Sequence, residues 1–114
     1  MRVLSANVAG INSTPKMHYF FSLAKRMNAM ITFFQECKLK HEDLPFLKLK
    51  WGSDHVFLSS TDRPSRGVIT MLHPSLQPEI IQTDICPRGQ FIIITFRTSG
   101  TCLLYTSDAA DDQC

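Results

Sequence analysis

The spacing of hydrophobic and polar residues predicts a strand, a helix and a second strand in the first third of the chain. Residues 2–7 (RVLSAN) have the length and apolar content of a short strand, and Gly10 and Asn12 mark a turn after it. Pro15 suits the first turn of a helix, where its missing N–H is not needed. The helix is predicted to continue to Asn28, because one of its faces is apolar, formed by Met17, Phe20, Phe21, Ala24 and Met27.

A nearly continuous apolar strand is predicted at residues 29–34, followed by Gln35 and Glu36. A strand, a helix and a buried strand in this order are typical of a crossover unit packed on a sheet. Beyond them we expect strands separated by turns, with only a short helical turn at residues 41–44 before Pro45. These strands are predicted at residues 55–60, 67–72, 79–83 and 90–97, and the first two form an antiparallel pair.

The composition is that of one small globular domain. The 114 residues are 44% hydrophobic and 19% charged, which is ordinary for a folded protein and argues against wholesale disorder. No apolar stretch approaches the ~20 residues that a membrane-spanning helix needs. The N-terminus lacks the apolar core of a secretory signal. We therefore expect a soluble protein with no membrane partner, located in the nucleus or cytoplasm and not secreted.

The cysteines and the charges narrow the choice of chemistry. Cys37, Cys86, Cys102 and Cys114 form no CxxC pair, so they predict neither a zinc site nor a disulfide framework, and free thiols suit a reducing compartment. All 12 lysines and arginines precede residue 98, whereas three of the 10 acidic residues lie in the last seven positions. The body of the chain is therefore more basic than its net charge of +2 indicates, which favours contact with phosphates.

Two polar residues stand at predicted strand ends, where α/β proteins bind their ligands. Glu36 follows a buried strand and is a candidate ligand for a hard divalent cation; the alternative is a glutamate that only reaches water. Asn7 ends the first strand; the alternative is a turn-forming asparagine near Gly10. If the two strands are parallel neighbours, both side chains lie at one edge of the sheet and form one site.

Three segments, in order and with matching spacing, resemble the opening motifs of the endonuclease/exonuclease/phosphatase superfamily. They are residues 4–12 (LSANVAGIN), 33–37 (FFQEC) and 65–72 (SRGVITML). They are most similar to the apurinic-type endonuclease domain of LINE-type retrotransposons. The resemblance implies an α/β (α+β) fold, as the N-terminal part of a four-layer sandwich, mostly one mixed sheet plus one long helix.

The resemblance also implies roles for individual residues. Glu36 corresponds to the metal-binding carboxylate, Gln35 to its supporting neighbour and Asn7 to the active-site asparagine. The implied cofactor is Mg²⁺, with Mn²⁺ as a substitute, and the implied reaction is hydrolysis of a DNA phosphodiester by a water that an Asp–His pair assists. The chain departs from the pattern at Cys37, where many relatives have threonine, and at Ala9.

The rest of the implied machinery is missing from the sequence. The family's later motifs "NxYxPN" and "GDFN" do not occur. The letters SDH occur once, at residues 53–55, but this is ahead of the third matching segment, whereas the family places the motif last, and none of His18, His41 and His73 has the matching acidic residue. Without a general base we predict no catalysis by this chain. The implied partner is DNA in the full-length parent, with no defined protein partner. One face of the sheet would be exposed to water, and the strand edge at residues 91–96 would be unpaired. Both features predict poor solubility and aggregation.

The pattern breaks after residue 101. The letters CLLYTSDAAD from Cys102 onward match a translation of DNA that resembles the transposase mosaic end and adapter used to prepare sequencing libraries. We therefore predict a domain fragment at residues 1–101 and a non-native tail, translated adapter, at residues 102–114. A natural acidic tail is the alternative.

Other functions are left open by the residues. Within the same superfamily, a phosphatase acting on lipid or nucleotide phosphates would share the motifs above. From a different class, a non-catalytic basic α+β module could bind nucleic acid or an acidic partner without any metal. A fragment with a structural core and no function of its own is the third alternative.

Overall fold

A computed structural model describes residues 1–61, 66–98 and, for the backbone, 101–108. Two α-helices and seven strands lie in these ranges. The helices are α1 (Thr14–Arg26) and α2 (Leu44–Trp51). The strands are β1 (Val3–Asn7), β2 (Ile31–Gln35), β3 (Val56–Ser59), β4 (Val68–Leu72), β5 (Glu79–Ile85), β6 (Phe91–Thr98) and β7 (Thr101–Asp108).

The first sheet has four strands in the order β1-β2-β4-β3. The pair β1 and β2 is parallel, whereas β4 runs antiparallel to both β2 and β3. One face of this sheet packs against both helices. The buried side chains between them include Met17, Phe21, Phe34, Leu47, Leu58 and Met71. The predicted crossover unit and the predicted antiparallel pair are both present.

Helix α1 follows its sequence signals closely. Ser13 is extended before the first turn, Pro15 lies in that turn, and Lys25 and Arg26 lie in the last turn, where cations interact favourably with the helix dipole. Met17, Phe21 and Ala24 are the buried residues of its inner face. Their spacing of three and four residues is that of one helical stripe, so the periodicity alone located the helix.

The second sheet is a correction to the sequence-based expectation of mostly one sheet with a wet face. Strands β5, β6 and β7 form an antiparallel sheet with β6 in the middle, so residues 91–96 are not an unpaired edge. Ile92, Ile94 and Phe96 alternate along β6 and pack on the first sheet. Their partners there are the buried residues Ile31, Val68 and Leu72. The predicted poor solubility therefore loses this physical reason and stays a prediction.

Helix α2 is a second correction, since the sequence indicated only a helical turn before Pro45. A 3₁₀ turn at His41–Asp43 leads directly into α2, and Pro45 lies in its first turn, where a missing N–H costs nothing. Gly52 ends the helix in the left-handed conformation at φ +87°. Trp51 is buried and its Nε1 donates to the carbonyl of Leu72 at 3.1 Å, which fixes the helix to β4.

The mixed α+β class is confirmed, with two sheets and two α-helices in the described residues. None of the helices in the described ranges is long and apolar enough to cross a membrane. Cys86 is disulfide-bonded, so the expectation of a free thiol there is wrong; spacing along the chain does not tell which thiols meet in space. Residues 102–108 belong to β7, whereas 109–114 lie outside the described residues, and the assignment of this tail as translated adapter stays a prediction.

Candidate active site

Strands β1 and β2 end at the same edge of the first sheet. They are parallel, and Asn7 is the register partner of Gln35. Glu36 is the next residue along the chain, and its Oε2 accepts a hydrogen bond from Nδ2 of Asn7. Both residues are exposed. The structure thus brings together the two side chains that the sequence singled out.

The orientation of the Asn7 amide is fixed from two sides. Its Oδ1 accepts a hydrogen bond from the backbone N–H of Ala9 at 3.0 Å, while its Nδ2 donates to the carboxylate of Glu36. Rotating the amide by half a turn would place an oxygen against a carboxylate and an NH₂ against an N–H, so only one orientation satisfies both neighbours. Asn7 therefore holds the carboxylate of Glu36 in one position through this hydrogen bond. The turn-forming role considered as the alternative coexists with it.

Glu36 reaches Asn7 because the backbone leaves the strand conformation at this residue. Its φ is +53°, in the left-handed region that residues other than glycine seldom adopt. In a regular strand Glu36 would point to the face opposite Gln35, where Phe34 is buried. The turn is held by the Gly10 N–H, which donates to the carbonyl of Glu36 at 2.6 Å. The left-handed turn therefore delivers the carboxylate to the Asn7 side.

Gln35 does not contact Glu36 through a described hydrogen bond. Its Nε2 donates to Oγ of Ser5 at 3.1 Å, which links β2 to β1 two residues before the strand ends. The supporting role that the resemblance implies for Gln35 stays a prediction, and the hydrogen bond described here is a tie between the two strands. It holds the two strand ends side by side.

Four loops meet at this edge. The loops after β1 and β2 are joined by the Ile11 N–H, which donates to the carbonyl of Cys37 at 2.9 Å. The Cys37 N–H donates to the carbonyl of Gly67 at 3.0 Å, which adds the loop before β4. Oγ of Ser59 donates to the carbonyl of Cys86, which adds the β5–β6 loop of the second sheet. The edge is therefore built from both sheets.

Basic side chains surround the edge, a feature that sequence reasoning did not find. Nζ of Lys16 donates to the carbonyl of Ala9 at 3.1 Å. The side chain of Lys38 crosses the loop after β1, with its Cδ 2.9 Å from where a Cβ on Gly10 would lie. Arg66 and Arg88 belong to the other two loops. The sequence signal that could have located these basic residues is their position in segments that follow or precede strands ending at one edge of the sheet.

A groove of about 750 Å³ opens next to the Glu36 loop. It lies between the segment that follows β2 and the segments that follow β3 and β5. The lining residues are Lys40, His41, Glu42, Ser60, Thr61 and Pro87. The groove thus presents one lysine, one glutamate and several hydrogen-bonding groups on the loops that follow β2, β3 and β5.

The donor set at the edge suits a magnesium ion better than zinc. No three His, Cys, Asp or Glu side chains of the described ranges cluster in a way that could hold a metal. Mg²⁺ commonly keeps several waters and binds through one or two carboxylates together with substrate phosphates. A single exposed carboxylate with a fixed orientation, as at Glu36, fits that mode.

The described histidines have no acidic partner. Nε2 of His18 lies 3.5 Å from Oγ of Ser22, and Nδ1 of His55 lies 3.0 Å from Oγ of Ser53. Nδ1 of His73 accepts from the N–H of Ser75 at 3.1 Å. In the part of the chain that the structure describes, these hydrogen bonds give no Asp–His pair.

Buried Cys37 lies directly after Glu36 and does not supply a reactive thiol. Burial raises the pKa of its thiol, an effect only partly offset by a hydrogen bond with the backbone of Ile69. Its Sγ donates to the carbonyl of Phe34 at 3.3 Å. The departure from threonine at this position therefore leaves a packed, neutral side chain behind the site.

The fold is similar to those of several solved structures. The crystal structure of a humanized D. rerio TDP2 matches with a TM-score of 0.66 and 22% identity, covering 91% of this chain and 47% of that chain. A truncated Caenorhabditis elegans TDP2 matches with a TM-score of 0.71 and 15% identity over 97% and 46% of the two chains. The AP endonuclease LMAP from Leishmania major matches with a TM-score of 0.63 and 12% identity over 91% and 38%.

No protein-family model and no curated protein matches the chain. The chain spans less than half the length of the three structures above. At these identities the likeness concerns the fold. The order of strands and helices, the two packed sheets and these matches together show that the chain has the endonuclease/exonuclease/phosphatase fold.

Proposed function

We propose that this chain is part of a metal-dependent phosphodiesterase that nicks DNA. The observation that carries the proposal is the carboxylate of Glu36, which a hydrogen bond from Asn7 holds at the end of two parallel strands. An exposed carboxylate held by a neighbour at this edge is arranged for a cation and gains nothing for the core. The fold shared with TDP2 and an AP endonuclease supports the same class of reaction.

Each residue of the site has a part in this proposal. Glu36 would hold Mg²⁺, or Mn²⁺ in its place, and Asn7 would fix the direction of the carboxylate. A bound metal supplies positive charge that stabilises the phosphoryl oxygens. Gln35 keeps the two strand ends together through Ser5. Lys16 and Lys38, on the neighbouring loops, favour the approach of a phosphate.

The finer assignments rest on the sequence motifs. Residues 4–12, 33–37 and 65–72 support an origin in the endonuclease domain of a LINE-type retrotransposon. The parent would then meet DNA in the nucleus or cytoplasm. The chain itself is proposed to be inactive, since its sequence lacks "GDFN" and has the letters SDH only at residues 53–55, ahead of the third matching segment and not at the family's position for that motif. Residues 102–114 are proposed to be translated adapter, and the transcript beyond the codon for Thr101 tests that.

Metal binding tests the proposal directly. Mn²⁺ gives a signal in electron paramagnetic resonance that changes when the ion binds, so it can be titrated with the whole chain. We expect Glu36→Gln to weaken Mn²⁺ binding at least about tenfold, because the charge is lost while the shape is kept. Glu42→Gln is the matched control, since Glu42 is an exposed glutamate near the same edge. Equal Mn²⁺ affinity in the wild type and Glu36→Gln would refute the proposed role.

A non-catalytic basic module is the competing function. It is supported by the lysines and arginines on the loops at the edge. It predicts binding of DNA that depends on salt and is indifferent to Mg²⁺ and to Glu36. A plasmid-nicking assay completes the comparison: the chain is expected to leave supercoiled DNA intact with Mg²⁺. Nicking by the purified chain would show that the missing motifs are not needed.

A further inference from the structure

We propose that the groove between the Lys40 loop and the β3 and β5 ends is a subsite for the sugar–phosphate backbone of DNA. The subsite would bind the DNA strand at a phosphate other than the one that is cut. The inference deepens the proposed function and rests on it. Its lining residues take no part in the hydrogen bond between Asn7 and Glu36.

The sheet register gives the position of the groove. Gln35 pairs with Val68, and Val68 pairs with Ser59, so the three lie in one row across β2, β4 and β3. Two strand spacings of about 4.8 Å separate the ends of that row, or roughly 10 Å. Measured along the axis of a duplex, at ~3.4 Å per nucleotide of one strand, this is roughly three nucleotides. The groove begins at Ser60, so it serves a neighbouring phosphate and not the one beside Glu36.

The lining has the chemistry of a backbone contact. Lys40 offers a cation, which the carboxylate of Glu42 balances in the charge of the described lining, and His41 and the hydroxyls of Ser60 and Thr61 offer hydrogen bonds of the kind that phosphates accept. Among the lining residues that the structure describes, His41 carries the one aromatic ring, so base stacking contributes little. The subsite should therefore be tolerant of sequence and sensitive to salt.

The walls of the groove are held by contacts independent of any ligand. The N–H of Lys40 donates to Oδ2 of Asp43 at 2.8 Å, and the N–H of Asp43 donates back to the carbonyl of Lys40 at 2.9 Å. The opposite wall is the tight turn at Gly89. A Cβ there would lie 3.2 Å from Cγ2 of Thr61 and 3.4 Å from Cα of Ser60. A preformed groove loses little conformational entropy on binding.

Fluorescence anisotropy with a labelled single-stranded DNA of about 12 nucleotides tests the subsite in a buffer with EDTA. At low salt we expect Lys40→Gln to weaken binding about fivefold, as one charge-assisted contact is lost. The slope of log affinity against log salt should fall by about 0.7. Arg26→Gln is the matched control: it removes one exposed charge from the end of α1, at the opposite edge of the sheet where β2 begins.

The outcomes separate this inference from the proposed function. Lys40→Gln should keep the Mn²⁺ affinity of the wild type, so a loss of Mn²⁺ binding in Glu36→Gln bears on the proposed function and a loss of DNA binding in Lys40→Gln bears on the subsite. Equal losses in Lys40→Gln and Arg26→Gln would show that net charge alone drives binding, and would overturn the subsite. A second variant, Ser60→Ala, should weaken DNA binding about twofold to threefold without a change in salt slope, as expected for one neutral hydrogen bond. Wild-type affinity in both groove variants would also overturn it.

Discussion

Asn7 and Glu36 lie 29 positions apart in the sequence and are joined by one hydrogen bond at the ends of two parallel strands. The amide of Asn7 is itself held by the N–H of Ala9. The carboxylate is therefore oriented through its neighbour, and the neighbour through the backbone. This order of dependence makes the contribution of each group separable by experiment.

Asn7→Ala should weaken Mn²⁺ binding less than the loss of the carboxylate does. A hydrogen bond to a charged group contributes roughly 1 kcal/mol at an exposed position, or about a fivefold change in affinity. Ser5→Ala is the control, because Ser5 is exposed on the same strand and contacts Gln35 instead. Titration of Mn²⁺ should rank the proteins wild type, Ser5→Ala, Asn7→Ala and Glu36→Gln in decreasing affinity. A loss in Ser5→Ala as large as that in Asn7→Ala would assign the effect to the strands.

The packing between the two sheets can be measured at Ile94. This residue is 1% exposed between the sheets, whereas Ile81 of the same second sheet is 47% exposed. Ile94→Ala should lower the free energy of unfolding by about 2–5 kcal/mol, since it leaves a cavity in a buried cluster. Ile81→Ala should lower it by less than about 1 kcal/mol. Urea denaturation of both variants checks this, and equal losses would mean that the second sheet does not pack as described.

Gly89 and Gly52 form a natural pair for testing the groove wall. Both have positive φ, at +74° and +87°, but a Cβ on Gly52 would meet nothing within 4 Å. Gly52→Ala should cost about 1–2 kcal/mol for the left-handed conformation alone. Gly89→Ala should cost more, because the added methyl also presses on Thr61 and on the backbone of Gly67. The comparison is made by denaturation, and a smaller loss at Gly89 would contradict a closely packed wall.

The buried thiol of Cys37 predicts a loss of stability in alkali. Burial raises its folded-state pKa above the ordinary value of 9.0, so the unfolded chain releases this proton first. Stability is then full below about pH 9 and declines above it, by up to ~1.4 kcal/mol per pH unit for one group. Cys37→Ala removes this contribution to the pH dependence of stability. Urea midpoints between about pH 8 and pH 10.5 should fall more steeply for the wild type than for the variant.

The sequence located the elements whose patterns are local. The stripe Met17, Phe21 and Ala24 identified α1, and the apolar run ending at Gln35 identified β2. A strand, a helix and a strand in succession favour two parallel neighbours, so β1 and β2 were expected to end at one edge if they paired. Asn7 and Glu36 could therefore be paired before their contact was known.

The remaining features depend on contacts that the sequence does not display. Helix α2 has apolar residues on several sides, with Phe46 and Leu49 exposed and Leu47 and Trp51 buried, so no single stripe marks it. In β6 an almost unbroken apolar run hides which residues face inward. The groove at Lys40 forms where loops from distant parts of the chain meet, and the order of residues gives no indication that they do.

The left-handed backbone at Glu36 sets stability against the metal binding proposed for its carboxylate. Glycine, and to a lesser degree asparagine, adopts this conformation more readily than glutamate does. A chain selected for robustness alone would be expected to drift toward one of them at this position and to discard the acid. Glutamate at this position therefore carries a conformational cost, and the proposed role of its carboxylate in holding a cation would offset that cost.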